Sequence, residues 1–117
     1  MKVIEEKWTR VTLYNIVDDL YRGSIQLEVY NNPEDEVKVY ISNLWVLPEY
    51  RGQGIAKALL DKAEELAKTQ TDEEYVYLCY WSADTPGGVY KYYLKRGYDD
   101  YKWGCPGEPI VMRKKLR

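Results

Sequence analysis

Histidine is absent from this 117-residue chain. Its absence excludes a Ser-His-Asp triad, a Cys-His pair and a His-ligated zinc. Phenylalanine is absent too, while tyrosine occurs 13 times. Tyrosine has taken over the aromatic core role, so a catalytic part for any one tyrosine needs a positional argument. The two cysteines, Cys79 and Cys105, form no metal or redox spacing. Cys79 sits in an apolar run and reads as buried filler. Cys105 lies in a Gly/Pro loop, and a disulfide between the two stays open. No run approaches the roughly 18 apolar residues of a membrane span. Residues 1–8 (MKVIEEKW) lack the apolar centre of a signal peptide. The expected location is the cytoplasm. A net charge of −2 gives no reason to expect nucleic acid as the main partner.

What is present is an ordinary globular composition, 45% hydrophobic and 31% charged. The length suggests one domain over residues 1–117. Residues 8–17 have strand composition, and Asp18-Asp19 is a turn signal. Residues 24–29 alternate, with Ile25, Leu27 and Val29 on one face. In a third strand Val37, Val39 and Ile41 alternate with Lys38, Tyr40 and Ser42. The apolar beat then resumes at Leu44 and Val46, one residue out of phase. A β-bulge at Ser42-Asn43 would produce that slip. Alternatively, Trp45 continues the original phase and Asn43 is an exposed exception.

A helix follows from about Gly54 to Thr69, with Ile55, Ala56, Leu59, Leu60, Ala63, Leu66 and Ala67 on one face. Glu64 and Lys68 have the favourable i,i+4 order. Residues 75–81 read as a strand in the middle of a sheet. Thr85-Pro86 suits the start of a second helix, and Gly97 its end. Residues 98–103 and 110–116 read as two last strands, with the basic tail 113–117 as a solvated, edge-protecting end. The order is βββ-α-β-α-ββ, an α+β domain with a mixed sheet.

A third absence concerns the first helix. No Ser, Thr, Asp or Asn lies between Leu44 and Leu60. A helix start leaves about four backbone N–H groups without partners, and those residue types normally satisfy one of them. Here the chain supplies Arg51, Gly52, Gln53 and Gly54 instead. Uncapped N–H groups and the helix dipole favour an anion, and glycines let a phosphate approach the backbone. The loop lacks the G-K-[ST] ending of a Walker loop and the third glycine of a dinucleotide loop. A plain tight turn is the alternative.

In its wider context the stretch VLPEYRGQGIAKALL, residues 46–60, resembles the acetyl-CoA signature of the GCN5-related N-acetyltransferase (GNAT) family. The family's Q/R-x-x-G-x-G/A loop matches Arg51-Gly52-Gln53-Gly54-Ile55-Ala56. A second family element, an aromatic-Tyr-x-Lys-x-Gly-aromatic helix end, matches Tyr92-Tyr93-Leu94-Lys95-Arg96-Gly97-Tyr98. The resemblance spans about residues 20–115.

The resemblance implies a GNAT-like fold and an N-acetyltransferase using acetyl-CoA, without a metal. It implies pyrophosphate contacts from Arg51, Gly52, Gln53, Gly54, Ile55, Ala56 and Lys57. Pantetheine would pair with the backbone of Leu44, Trp45 and Val46, and the N–H near Val46 would polarise the thioester carbonyl. Tyr93 would be the general acid, since a phenol with a pKa of about 10 keeps its proton at neutral pH. Core packing beside Val89, Tyr90 and Tyr92 is its other reading. The acceptor would be a primary amine on a small molecule or a protein. The family's usual two helices before the sheet have no room here, so the acceptor site is open or completed by a partner chain, for example in a homodimer. Pro86 stands where the family has an Asn that contacts the cofactor. For the general base, Glu28, Asp84, Ser42 and a water chain are candidates, while Glu49 reads as a surface residue. A CoA-binding module without transferase activity is the alternative function.

Overall fold

The computed structural model describes residues 1–80, 88–102 and 109–117. Seven strands and two α-helices follow one another: β1 (Lys2–Lys7), β2 (Val11–Val17), β3 (Gly23–Tyr30), β4 (Val39–Val46), α1 (Ile55–Gln70), β5 (Tyr75–Tyr80), α2 (Gly88–Arg96), β6 (Asp99–Lys102) and β7 (Ile110–Lys115). All strands join one sheet in the order β1-β2-β3-β4-β5-β7-β6. The β4–β5 pair is parallel, and the other five pairs are antiparallel. The fold class is α+β, as expected. No helix among the described residues is long and apolar enough to cross a membrane.

The alternation in β2, β3 and β4 builds the core. Ile16, Ile25, Leu27 and Val39 are fully buried, and α1 packs across these strands. From the helix come Leu59, Leu60, Ala63 and Ala67, all fully buried. The two alanines let the helix sit close to the sheet. Burying each large aliphatic side chain contributes ~2 kcal/mol. On the other face Leu13, Asn15, Gln26 and Glu28 stay half-exposed.

Three expectations need correction. First, residues 8–17 are not one strand: β2 starts at Val11, and Lys2–Lys7 forms an additional strand before it. All six β1 residues are exposed, so no apolar alternation marked this strand in the sequence. Second, β7 is not the edge strand: it is paired with β5 and, through residues 111–113, with β6, which is the edge. In the basic tail only Lys114 and Lys115 are paired on one side alone among the described residues. Third, Glu64 does not turn to Lys68. Its carboxylate accepts from Arg96 Nε at 2.8 Å, the Tyr98 hydroxyl at 2.8 Å and Lys114 Nζ at 2.7 Å. The Thr85-Pro86 helix start, Asp84 and the Cys105 loop lie outside the described residues.

Candidate active site

The site begins with the bulge. Gln26 pairs with Ser42, whereas Ser24 pairs with Trp45, so β4 carries one extra residue there. Asn43 sits in the left-handed region at φ 53°, a conformation that asparagine tolerates better than most residues. Its amide donates to Gln26 Oε1 at 2.6 Å, and Gln26 Nε2 donates to Asn15 Oδ1 at 2.7 Å. After the extra residue the inward phase passes to Leu44 and Val46, while Trp45 is 50% exposed. The alternative in which Trp45 keeps the original phase is therefore excluded. Gly23, opposite Val46, has no room for a side chain: a Cβ there would lie 2.7 Å from the Trp45 carbonyl oxygen.

The bulge carries β4 away from β5. Among the described residues their parallel ladder pairs Tyr40 with Tyr77 and Ile41 with Leu78 and goes no further. Beyond it opens a cavity of about 290 Å³ lined by Tyr40 to Leu44, Leu78, Cys79 and Tyr93. Ser42 Oγ is buried and, among the described residues, has no hydrogen-bond partner. Cys79 lines this cavity and is half-buried, so it is not the core filler its apolar run suggested.

The loop after β4 forms a second cavity of about 310 Å³, lined by Val46, Tyr50 to Gly52, Gly54 to Lys57 and Tyr92. Gly54 caps α1 in the left-handed region, with no side-chain cap. The first helical bond runs from Ala58 N–H to the Gly54 carbonyl at 3.1 Å. The N–H groups of residues 55–57 therefore precede the helical ladder. Gly52 and Gly54 have φ of 80° and 84°, and a Cβ at either would meet open space. Backbone conformation and access together favour glycine there. Gln53 is exposed and does not line the cavity. Arg51 folds back, its Nε donating to the Val46 carbonyl at 3.1 Å. Leu47 N–H bonds Arg22 O at 2.8 Å, which makes 22 and 47 a hydrogen-bonded pair. Alternation then turns the Val46 backbone away from β3, toward the cleft side.

Neighbours missed in the sequence support this loop. Asp18 accepts from Arg22 Nε at 2.7 Å and Nη2 at 3.0 Å. The Arg22 guanidinium lies 5.9 Å from the Tyr50 ring centre, and Tyr50 lines the loop cavity. An Asp-Asp turn signal was visible, but its link to a residue near 50 was not.

Tyr93 comes from α2. The helix ends with Tyr98 N–H bonded to the Tyr93 carbonyl at 3.0 Å and Gly97 N–H to the Leu94 carbonyl at 3.1 Å. Gly97 has φ of 107°. This is a Schellman cap with Tyr93 and Tyr98 at its two contact positions. Their rings meet edge-to-face at 5.8 Å. Tyr93 is half-buried, and burial pushes its phenol up; the neighbouring Tyr92 adds to this, while Arg96 opposes it. Tyr40 is pushed up more strongly, by burial first and then by the Cys79 thiol beside it. Among the candidate bases, Glu28 accepts from the Tyr30 hydroxyl at 3.3 Å and is paired across strands with Tyr40. Glu49 is exposed.

β4 thus leaves its parallel neighbour beside a glycine-led helix start. The family model described as acetyltransferase (GNAT) family matches residues 9–98. The chain belongs to this family. No curated protein matches the sequence significantly. Among solved structures, a GNAT-family acetyltransferase from Staphylococcus aureus superposes with a TM-score of 0.68 at 18% identity, covering 92% of this chain and 69% of that one. Arabidopsis thaliana NAA60, solved with a bisubstrate analogue, gives 0.66 at 18% identity, covering 91% and 75%. The ribosomal-protein-S18-alanine N-acetyltransferase from Escherichia coli gives 0.65 at 14% identity, covering 94% and 72%. At these identities the likeness is one of fold.

Proposed function

We propose that this protein transfers an acetyl group from acetyl-CoA to a primary amine by direct attack, with Tyr93 as general acid. One observation carries the reading. Leu44 lines the Tyr93 cavity and Val46 lines the loop cavity, so the edge of β4 that is unpaired among the described residues joins the two. An extended cosubstrate with phosphates at one end and a thioester at the other matches that layout. The uncapped N–H groups of 55–57, with Gly52 and Gly54, would hold the pyrophosphate. The backbone of Leu44, Trp45 and Val46 would pair with the pantetheine arm, and the Val46 N–H would face the thioester oxygen. Arg51, occupied with the Val46 carbonyl, would hold the loop and the strand end together. The amine nitrogen forms the new C–N bond as the C–S bond breaks. Tyr93 gives its proton to the departing sulfur and regains one from water, while the amine's proton passes to water. Burial keeps the Tyr93 phenol protonated at neutral pH, as that role requires. NAA60 with a bisubstrate analogue and the NatC complex with CoA and a Gag peptide show the fold holding such ligands elsewhere.

Acetyl-CoA should raise the melting temperature of the chain. Gly54→Glu, which puts an anion where the pyrophosphate belongs, should remove the shift. With an amine panel, free CoA should be released. Binding without release would assign a CoA-binding module instead, and no shift at millimolar acetyl-CoA would sink both readings.

A further inference from the structure

We propose that the cavity beneath the 31–38 connection is the acceptor subsite, and that it takes a small primary amine with an apolar aromatic or branched-alkyl body. The inference rests on the acyl-transfer reading above. The cavity has a volume of about 320 Å³ and is lined by Tyr30, Asp35, Val37, Tyr40, Cys79 and Val111. Tyr40 and Cys79 also line the Tyr93 cavity. The two spaces therefore share a wall of two side chains. A nitrogen at that wall faces the thioester side while the rest of its molecule stays behind.

The connection works as a strap. It leaves the sheet with Tyr30 N–H bonded to Lys38 O at 2.7 Å, and it turns where Asp35 N–H bonds Asn32 O at 3.0 Å. Across the sheet, Glu36 accepts from Lys102 Nζ at 2.6 Å and from the Tyr101 hydroxyl. These bonds hold Asp35 and Val37 over β4, β5 and β7. The space is an open groove, and its volume is at the low end of ligand pockets, which span about 300–1,000 Å³. A small molecule fits within that volume, whereas a peptide would place most of its length outside it.

The lining selects the chemistry. Tyr30, Val37, Tyr40 and Val111 offer ring faces and alkyl groups. One carboxylate, Asp35, lines the cavity, and Glu28 is bonded to Tyr30 just outside it. No cation lines it. These carboxylates and phenol rings favour entry of a cationic amine over that of an anion, and the apolar walls suit an uncharged body. A polyamine would have to bury further charges against alkyl groups, which is costly.

The test uses the full chain with acetyl-CoA and four acceptors: 2-phenylethylamine, isopentylamine, spermidine and a lysine-containing peptide. Free-thiol release gives rates, and thermal shift reports acetyl-CoA binding. The first two amines should exceed the others by about tenfold or more in kcat/KM, the scale set by fitting a hydrophobic pocket. Val111→Trp fills the cavity, and Asp35→Asn removes its charge. Each should raise the amine KM by about tenfold while leaving the acetyl-CoA shift unchanged. Acetyl-CoA binding with spermidine or peptide preferred, or with amine KM unmoved in both variants, would overturn the subsite alone. Failure of the wild-type chain to bind acetyl-CoA, or binding with none of the acceptors used, would overturn the acyl-transfer reading and the subsite with it.

Discussion

The spacing from Tyr93 to Gly97 and Tyr98 has a conformational meaning beside the chemical one proposed for it. A Schellman cap needs a left-handed residue at Gly97 and rewards an apolar contact between Tyr93 and Tyr98. The same cap fixes Tyr93 at the cleft, so packing and the proposed chemistry do not compete for the residue. Gly97 was legible as a helix cap, and Tyr93 through the resemblance of its spacing to the family element. Tyr93→Phe keeps the ring contact and removes only the hydroxyl. In steady-state kinetics it should lower kcat by about 10²-fold or more, the low end for a general acid, with acetyl-CoA affinity unchanged. Unchanged turnover would leave Tyr93 a packing residue. Cys79 was less legible than Ser42, which the phase slip had already marked. A run of strand residues tells which positions alternate, but not which of them a cavity between two strands will expose.

At the scale of elements, Glu64 ties three of them together. From α1 it receives Arg96 of α2, Tyr98 just beyond it and Lys114 of β7. Arg96 and Glu64 side chains are only 10% and 13% exposed, so removing the carboxylate leaves a poorly solvated guanidinium. Glu64→Ala should cost ~3 kcal/mol in urea denaturation. It should also loosen the helix end that presents Tyr93, lowering kcat more than it raises the acetyl-CoA dissociation constant. A loss of stability with kcat intact would confine Glu64 to the scaffold. The helix itself was readable from its 3.6-residue stripe. The bulge was readable because a period of two cannot change phase without an extra residue. The partners of Glu64 were not, since they lie 32 to 50 residues away in the chain. The same distance effect hid the position of β7, because order within a sheet is a tertiary property that local pattern does not carry.

For the whole molecule, charged pairs set how it should respond to acid. Asp18 is held down to about 2, chiefly by the hydrogen bond from Arg22. Lys102 lowers Glu36, and Lys57, with Arg96, lowers Asp61. A carboxylate with a depressed folded pKa contributes its stabilisation above its unfolded value, ~4. That contribution is lost as pH falls through the folded value. Stability in urea should therefore decline from about pH 4 toward pH 2. Asp18→Asn should lower stability at pH 7 and flatten that decline; an unchanged slope would assign acid sensitivity to other groups. The Asp18–Arg22 pair also lies against Tyr50, which lines the loop cavity. Last, the wall formed by Tyr40 and Cys79 belongs to both cavities. Thermodynamic reciprocity then applies to whatever fills them. If an occupant of one cavity shifts those side chains and changes affinity at the other, the second occupant changes affinity for the first by the same factor.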